Sequence, residues 1–147
     1  MDIIIEKYRL NQGTNGLKPD GSPLTALIID DSKVFRSSLR EILVQVGYKV
    51  LEADTLPGGT ETFYALKPDV ASLDLIMPGC NGLEGLRAHL EQHPEMKRRL
   101  VVCTSLEDAI LRQVMLIGVQ NVFQKPIDES KIKAFLEALK DVAILEG

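Results

Sequence analysis

Short apolar runs alternate with longer amphipathic stretches from residue 24 to the end of the chain. The apolar runs predict buried strands, and the stretches of helical period predict the helices that follow them. The predicted strands span residues 24–30, 48–54, 69–74, 99–104 and 120–124, and the predicted helices span 32–47, 59–67, 82–93, 106–118 and 128–144. Alternating strands and helices, with continuously apolar strands, are typical of a parallel sheet covered on both faces. We therefore predict an α/β domain with a doubly wound parallel sheet.

Local signals predict where several helices begin and end. Gly47 is expected to end the first helix. The second helix is expected to begin after the Pro57-Gly58-Gly59 break, and Asn81 is suited to cap the third. The predicted apolar face of the first helix consists of Val34, Phe35, Leu39, Ile42, Leu43 and Val46.

The first 23 residues are rich in turn formers such as Asn15-Gly16 and Gly21, which argue against a helix. We therefore predict an N-terminal extension at residues 1–23 and the domain at residues 24–147. Within the extension, Ile3-Ile4-Ile5 can form a short strand on the domain or on a second subunit.

Composition narrows the function class. The net charge of -4 gives no basic surface for nucleic acid, and no apolar run approaches the roughly 20 residues that span a membrane. The N-terminus lacks the features of a secretory signal, so we expect a cytoplasmic protein in which Cys80 and Cys103 are reduced thiols.

Polar residues follow the predicted strands. The first strand ends at Asp30-Asp31, the third at Asp74 and the fourth at Thr104-Ser105, and Lys125-Pro126 follows the fifth. In a doubly wound sheet, ligands bind beyond the carboxyl ends of the strands, where the strand order reverses. Grouped carboxylates raise each other's pKa and need a cation, and Mg²⁺ prefers oxygen ligands. The pattern therefore suggests phosphoryl chemistry on a carboxylate nucleophile.

Four motifs carry a resemblance to a known family. IIDDS (28–32), SLDLIMPGCNG (72–82), VVCTS (101–105) and QKP (124–126) occur in the order and spacing of the receiver domain of two-component response regulators. The similarity covers roughly residues 24 to 145. It implies a flavodoxin-like (βα)5 fold with sheet order 2-1-3-4-5. Because one helix alone is predicted after Lys125, we expect a stand-alone receiver similar to chemotaxis regulators. A phosphorelay intermediate and the excised receiver of a larger protein fit the sequence as well.

The resemblance assigns roles to individual residues. Asp74 is expected to accept a phosphoryl group from a histidine kinase or a histidine phosphotransfer protein. Asp31 and Asp74 are expected to bind Mg²⁺, Asp30 to act on the metal through water, and the main-chain carbonyl of Ile76 to supply another oxygen. The resulting protein is a phosphoacceptor that assists its own phosphorylation and dephosphorylation, and its downstream protein target is unknown.

The remaining family positions concern the phosphoryl group and the loop. Thr104 is expected to bond the phosphoryl group, and Lys125 to pair with it next to a cis bond to Pro126. Pro78 and Gly82 are expected to shape the loop into the third helix.

One position departs from the family pattern. Receivers usually carry Tyr or Phe three residues before the lysine, and this chain has Val122. Strand alternation is expected to point Phe123 to the opposite face. Signalling is therefore expected to depend on the fourth helix and its preceding loop, which begins at Ser105.

Partner recognition is expected to use the exposed face of the first helix and the loop after Lys125. The helix residues concerned are Lys33, Arg36, Ser37 and Arg40.

Each of the site residues also fits a purely structural role. Residues 30–32 are compatible with an N-cap cluster, Asp74 with a turn, Thr104 with a strand terminus, and Lys125 with a solvated side chain. A pseudo-receiver that acts as a constitutive protein-interaction module is an alternative function, which Val122 supports. A flavin or nucleotide enzyme on the same fold is disfavoured because no glycine-rich phosphate loop follows the first strand.

Overall fold

The computed structural model describes residues 4–5, 22–78 and 80–146. Its central strands are β1 Thr25–Ile29, β2 Lys49–Ala53, β3 Val70–Leu73, β4 Leu100–Thr104 and β5 Asn121–Gln124. Its main helices are α1 Lys33–Val46, α2 Leu56–Leu66, α3 Gly82–Gln92, α4 Asp108–Ile117 and α5 Glu129–Glu146. A one-turn helix, Pro94–Lys97, lies between α3 and β4.

The five central strands form a parallel sheet in the order β2-β1-β3-β4-β5. This is the predicted flavodoxin-like order, 2-1-3-4-5. In the register of the central pair, Ile29 of β1 lies opposite Leu73 of β3. The residues that follow these two strands are therefore neighbours at one edge of the sheet.

The Ile4–Ile5 segment adds a short antiparallel strand to the outer edge of β2. Ile4 lies opposite Glu52, and Ile5 lies opposite Leu51. Of the two attachments that the sequence left open for the Ile3-Ile4-Ile5 segment, the one to the domain is found for Ile4 and Ile5, the two residues of it that the structure describes. The boundary between extension and domain at residue 24 stays a prediction.

Helices cover both faces of the sheet, as predicted. Along β1, Ala26 and Ile28 face a core shared with α1 and α5, whereas Leu27 and Ile29 face a core shared with α2, α3 and α4. This alternation is the two-residue period of a strand with both faces buried. Helices therefore pack against both faces of the sheet and hold its carboxyl edge in place.

The predicted start of α2 is wrong. The helix begins at Leu56, and the Thr55 hydroxyl caps it by accepting a hydrogen bond from Gly58 N at 3.1 Å. Pro57 is tolerated because the first turn of a helix does not use its amide hydrogens. Gly59 therefore lies inside the helix, at a position where a β-carbon would come within 2.6 Å of the Ile29 side chain and where glycine is favoured.

The first helix ends as predicted, but its buried apolar face is narrower than the predicted face. Gly47 adopts a left-handed conformation with φ 112°, and its amide bonds to Leu43 O. Val34, expected on the buried face, is 79% exposed. It precedes Leu39 by five residues, which at 3.6 residues per turn places it about 140° around the helix.

We expect Gly59→Ala to lower the free energy of unfolding by about 1–3 kcal/mol, because the added methyl group overpacks the contact between α2 and Ile29. Urea unfolding would measure the change. Gly59→Ala combined with Ile29→Val is the matched control and should recover part of the loss, since the valine removes Ile29 Cδ1, one of the two carbon atoms that would lie 2.6 Å from the added methyl group. A loss of less than about 0.5 kcal/mol, the usual range for surface substitutions, would contradict this close packing.

Candidate functional site

Three carboxylates meet at the carboxyl edge of the sheet. Asp30 follows β1 and Asp74 follows β3, and Asp74 N donates a hydrogen bond to Ile29 O at 3.2 Å. Carboxylate oxygens of Asp30, Asp31 and Asp74 all lie within 4.8 Å of one another. Asp30 and Asp74 are buried whereas Asp31 is exposed, so the cluster is open on one side.

Backbone amides orient the two buried carboxylates. Asp30 Oδ1 accepts a hydrogen bond from Ser32 N at 2.9 Å, and Asp74 Oδ1 accepts one from Ile76 N at 3.1 Å. Ser32, not either aspartate, caps α1, since its hydroxyl accepts from Phe35 N at 3.2 Å. Ser32 is therefore the N-cap residue, and neither Asp30 nor Asp31 is needed to cap α1.

Lys125 bridges the second oxygens of both buried acids. Its Nζ lies 2.7 Å from Asp30 Oδ2 and 3.3 Å from Asp74 Oδ2. It also lies 3.9 Å from the centroid of the Phe35 ring, which favours a cation over the ring face. Lys125 N donates to Thr104 O at 2.8 Å, and the Lys125–Pro126 bond is cis, as expected.

Burial and charge compete at these groups. Burial raises the pKa of Asp30 above its ordinary value, although the hydrogen bonds from Lys125 and Ser32 oppose the rise. Burial also disfavours the Lys125 ammonium, but its hydrogen bond to Asp30 and the charges of Asp30 and Asp74 raise its pKa on balance. One ammonium therefore faces three acids, and this excess of negative charge suits a hard divalent cation.

Thr104 ends β4 with its side chain fully buried. Its hydroxyl has no hydrogen-bond partner among the residues that the structure describes. Leaving a buried hydroxyl without a partner costs free energy. A polar ligand in the site would give this hydroxyl a partner, which agrees with the acidic cluster and the neighbouring lysine.

A buried ion-pair network lies next to the acidic cluster and contacts the main chain of Asp30. Glu52, a buried residue of β2, accepts hydrogen bonds from Arg36 Nε at 3.0 Å and from an Arg40 guanidinium nitrogen at 2.9 Å. Arg36 also donates a hydrogen bond to Asp30 O at 2.8 Å. Because a buried carboxylate needs cations, Arg36 is turned inward and is 8% exposed. The expectation that Arg36 belongs to an exposed recognition face is therefore wrong.

Sequence reasoning did not single out Glu52. The signal was present, because an acid stands inside the apolar strand sequence KVLEA, which the sheet buries. Arginines four residues apart on the preceding helix, at positions 36 and 40, offered the matching charges.

The loop after β3 forms a small antiparallel hairpin, in which Ile76 pairs with Asn81 and Met77 with Cys80. Pro78 lies exposed in its turn, and the Ile76 side chain is 50% exposed. Gly82 has φ 68°, and its amide donates to Leu75 O at 3.0 Å. The predicted capping role of Asn81 concerns a side chain outside the described part of the chain.

The Cys80 thiol is buried in this hairpin, and burial raises its pKa to about 11. A protonated, inaccessible thiol is a poor nucleophile and a poor redox sensor. Cys80 therefore fills an apolar position beside the acids. Cys103, in β4, is also a buried free thiol.

The residues around the lysine face opposite sides of β5. Val122 packs against the core beneath α3 and α4, whereas Phe123 packs on the other face, with its ring 5.4 Å from that of Phe135. The predicted alternation is confirmed. Ser105, after Thr104, and Pro126, after Lys125, are exposed at the rim of the site.

Residues 26–137 match the family described as the response regulator receiver domain, which is more than half of the chain. The chain belongs to this family. Receivers are signalling phosphoacceptors of two-component systems, and the match indicates no family of catalytic enzymes.

Two chemotaxis proteins are similar to this receiver in sequence. The chemotaxis protein CheY of Treponema pallidum (strain Nichols) is 32% identical over 123 residues, covering 80% of this chain and 83% of that protein. The chemotaxis protein CheY of Thermotoga maritima is 29% identical over 119 residues, covering 80% of this chain and 95% of that protein.

Solved structures confirm the fold. A signal receiver domain of a DNA-binding response regulator from Colwellia psychrerythraea 34H has a TM-score of 0.70 at 24% identity, with 80% of this chain and 98% of that chain covered. A chain in the CheX–CheY–BeF3–Mg complex from Borrelia burgdorferi has a TM-score of 0.70 at 21% identity, with 84% and 95% covered. Within the described residues of this receiver, no helix is long and apolar enough to cross a membrane.

We expect Arg36→Met to weaken divalent-cation binding at the acidic cluster by about tenfold, as is usual when a group that orients metal ligands is lost. The reason is the lost hydrogen bond to Asp30 O. Arg40→Met is the matched control, because it also removes one cation from Glu52 but leaves Arg36 in place. Titration calorimetry with Mg²⁺ would measure the affinities, and equal losses in both variants would contradict a specific role for Arg36.

Proposed function

We propose that this receiver accepts a phosphoryl group on Asp74 from a histidine kinase or a histidine phosphotransfer protein, with Mg²⁺, and then signals by binding another protein. The observation that supports this most is the convergence of Asp74 with Asp30, Asp31 and Lys125 at the carboxyl edge of the sheet. Membership of the receiver family supports the same reaction class.

Asp74 is the proposed nucleophile. One of its carboxylate oxygens attacks the phosphorus atom, a new oxygen–phosphorus bond forms, and the donor leaves with the electrons of its own bond to phosphorus. The hydrogen bond from Ile76 N to Asp74 Oδ1 and the contact of Lys125 with Oδ2 fix the direction of this carboxylate. Positioning and charge stabilisation contribute most of the catalysis in phosphoryl transfer, so a small rigid site suffices.

The donor set fits Mg²⁺. Asp31 and Asp74 would bind the ion, Asp30 would act through water, and the main-chain carbonyl of Ile76 would add an oxygen. Asp30 and Asp31 are held at one edge of the site by the turn into α1, which Ser32 caps. When bound, Mg²⁺ offsets negative charge on the carboxylates and on the phosphoryl oxygens.

Thr104 and Lys125 are proposed to respond to the phosphoryl group. The unpartnered Thr104 hydroxyl can donate a hydrogen bond to a phosphoryl oxygen, and the Lys125 ammonium can pair with the added charge. Lys125 would then loosen its contact with Asp30, so the phosphoryl group redistributes a charge balance that already exists. Pro78, Gly82 and Pro126 would shape the loops around this site.

We propose that the protein works in the cytoplasm as a single-domain, chemotaxis-type regulator, without binding nucleic acid. The support is the coverage of the Thermotoga maritima CheY protein, of which the chain matches 95%. Residues 1–23 are proposed to form an extension outside the receiver. The alternative function, a pseudo-receiver acting as a constitutive interaction module, retains one argument, the aliphatic Val122 at the family's aromatic position.

We expect incubation with acetyl phosphate and Mg²⁺ to add one phosphoryl group to the chain, detected by intact-mass spectrometry. Asp74→Asn should abolish the adduct, because an amide is a far weaker nucleophile than a carboxylate. Asp54→Asn is the matched control and should keep it, since Asp54 is exposed after β2 and outside the acidic cluster. A wild-type protein that binds Mg²⁺ but forms no adduct would favour the pseudo-receiver.

We expect beryllofluoride with Mg²⁺, a phosphoryl mimic, to change the backbone NMR shifts of residues 104–118 more than those of α1. The expected cause is a movement of Thr104 toward the bound group, which the loop that begins at Ser105 transmits to α4. This route is expected because Val122 provides no aromatic ring for the usual switch. Asp74→Asn, treated in the same way, is the control. Spectra of residues 104–118 that do not change would contradict this switching route.

A further inference from the structure

Both histidines of the chain lie side by side at the end of α3, away from the loop with which that helix begins. His93 N donates a helical hydrogen bond to His89 O at 2.9 Å, so the two residues are one turn apart. Their ring centroids are 4.7 Å apart and their planes are inclined by 41°. His93 directly follows the last residue of α3, so the pair has the four-residue spacing that histidines on one helix face use to bind transition metals.

The hydrogen bond between Thr60 and His89 assigns the tautomer of His89. The Thr60 hydroxyl has one hydrogen, and it donates this to Leu56 O at 2.9 Å. Thr60 Oγ1 also lies 3.2 Å from His89 Nε2 and can act there only as an acceptor. His89 Nε2 therefore carries a hydrogen, and a neutral His89 has its free lone pair on Nδ1.

This arrangement is the one that metal-binding histidines usually adopt. A ligating imidazole typically donates its other N–H to an oxygen, which holds the ring orientation. Burial lowers the pKa of His89, and the charge of His93 lowers it further, so the neutral ring is favoured at pH 7. Within the described residues, no hydrogen bond engages either ring nitrogen of His93.

Negative charge lies beside the pair. The Tyr64 ring packs against that of His93 with centroids 5.4 Å apart, and Tyr64 OH donates to Glu95 Oε2 at 2.6 Å. This hydrogen bond lowers the pKa of Glu95, and the charge of His93 contributes in the same direction. An ionised carboxylate next to the two rings favours a cation there.

We propose that His89 and His93 form a site for a divalent transition-metal ion of the Zn²⁺ class, with water completing its coordination. Imidazole nitrogen suits such ions, whereas Mg²⁺ prefers oxygen, so the pair and the acidic cluster would select different metals. Thr60, from α2, holds the orientation of the His89 ring, so a second helix positions one of the two proposed ligands. The proposal does not depend on phosphorylation of Asp74.

The test is a Zn²⁺ titration of the ¹⁵N-labelled full chain in excess Mg²⁺, which keeps the acidic cluster occupied. Long-range ¹H–¹⁵N spectra of the imidazole rings contain signals from two histidines alone. Before Zn²⁺, His89 should show the Nε2–H tautomer. With Zn²⁺, His89 Nδ1 and one nitrogen of His93 should shift together and saturate at one ion per chain.

Variants separate ligation from packing. His93→Gln should weaken Zn²⁺ binding by at least tenfold, and Thr60→Val should weaken it by about tenfold through loss of the acceptor for His89 Nε2. Asp74→Asn should leave the histidine shifts unchanged. Ring signals that Zn²⁺ does not move, an Nδ1–H tautomer in the wild-type chain, or equal affinity in His93→Gln would overturn the proposal. The wild-type spectra decide the matter even if a variant does not fold.

Discussion

The mutual repulsion of carboxylates at neighbouring strand ends is the constraint on which the rest of this receiver depends. The pairing of Ile29 with Leu73 places Asp30 and Asp74 side by side at the carboxyl edge of the sheet. Lys125 follows β5 and forms charged hydrogen bonds to both acids, and so connects the ends of three strands. One ammonium leaves part of the negative charge of the three acids uncompensated, which favours a bound cation. A negatively charged phosphoryl group would be tolerated there once a cation offsets this charge.

Charge compensation also determines the arrangement of the buried Glu52 carboxylate and its two arginines. Glu52 would be costly in the sheet without Arg36 and Arg40, and the requirement to neutralise it fixes how α1 sits on the strands. Arg36 then extends this buried network to the main chain of the acidic loop through Asp30 O. A structural ion pair and a functional loop therefore share one side chain, so substitutions in the network are expected to affect both folding and metal binding.

Much of this architecture could be predicted from sequence because it depends on periodicity and on strand ends. Strand alternation predicted the opposite orientations of Val122 and Phe123 in β5, and the continuously apolar strand sequences predicted a sheet buried on both faces. The start of α2 could not be predicted in the same way, since Pro57 breaks a helix interior but is tolerated in a first turn. Arg36 was placed on the surface because burial of a charge depends on a partner, Glu52, that is distant in sequence.

The Ile4–Ile5 segment has a consequence for association between molecules. An uncovered outer strand offers unpaired amides and carbonyls on which another chain can add a strand, and this is a common route to aggregation. Here the antiparallel segment pairs with Leu51 and Glu52 and occupies that part of the β2 margin. At the opposite margin, β5 is short and carries Asn121 and Gln124 at its two ends, which makes it a poor template. Both edges of the sheet are thereby protected from pairing with another chain. The β2 edge is covered by the Ile4–Ile5 strand, and the β5 edge is short and polar at its ends.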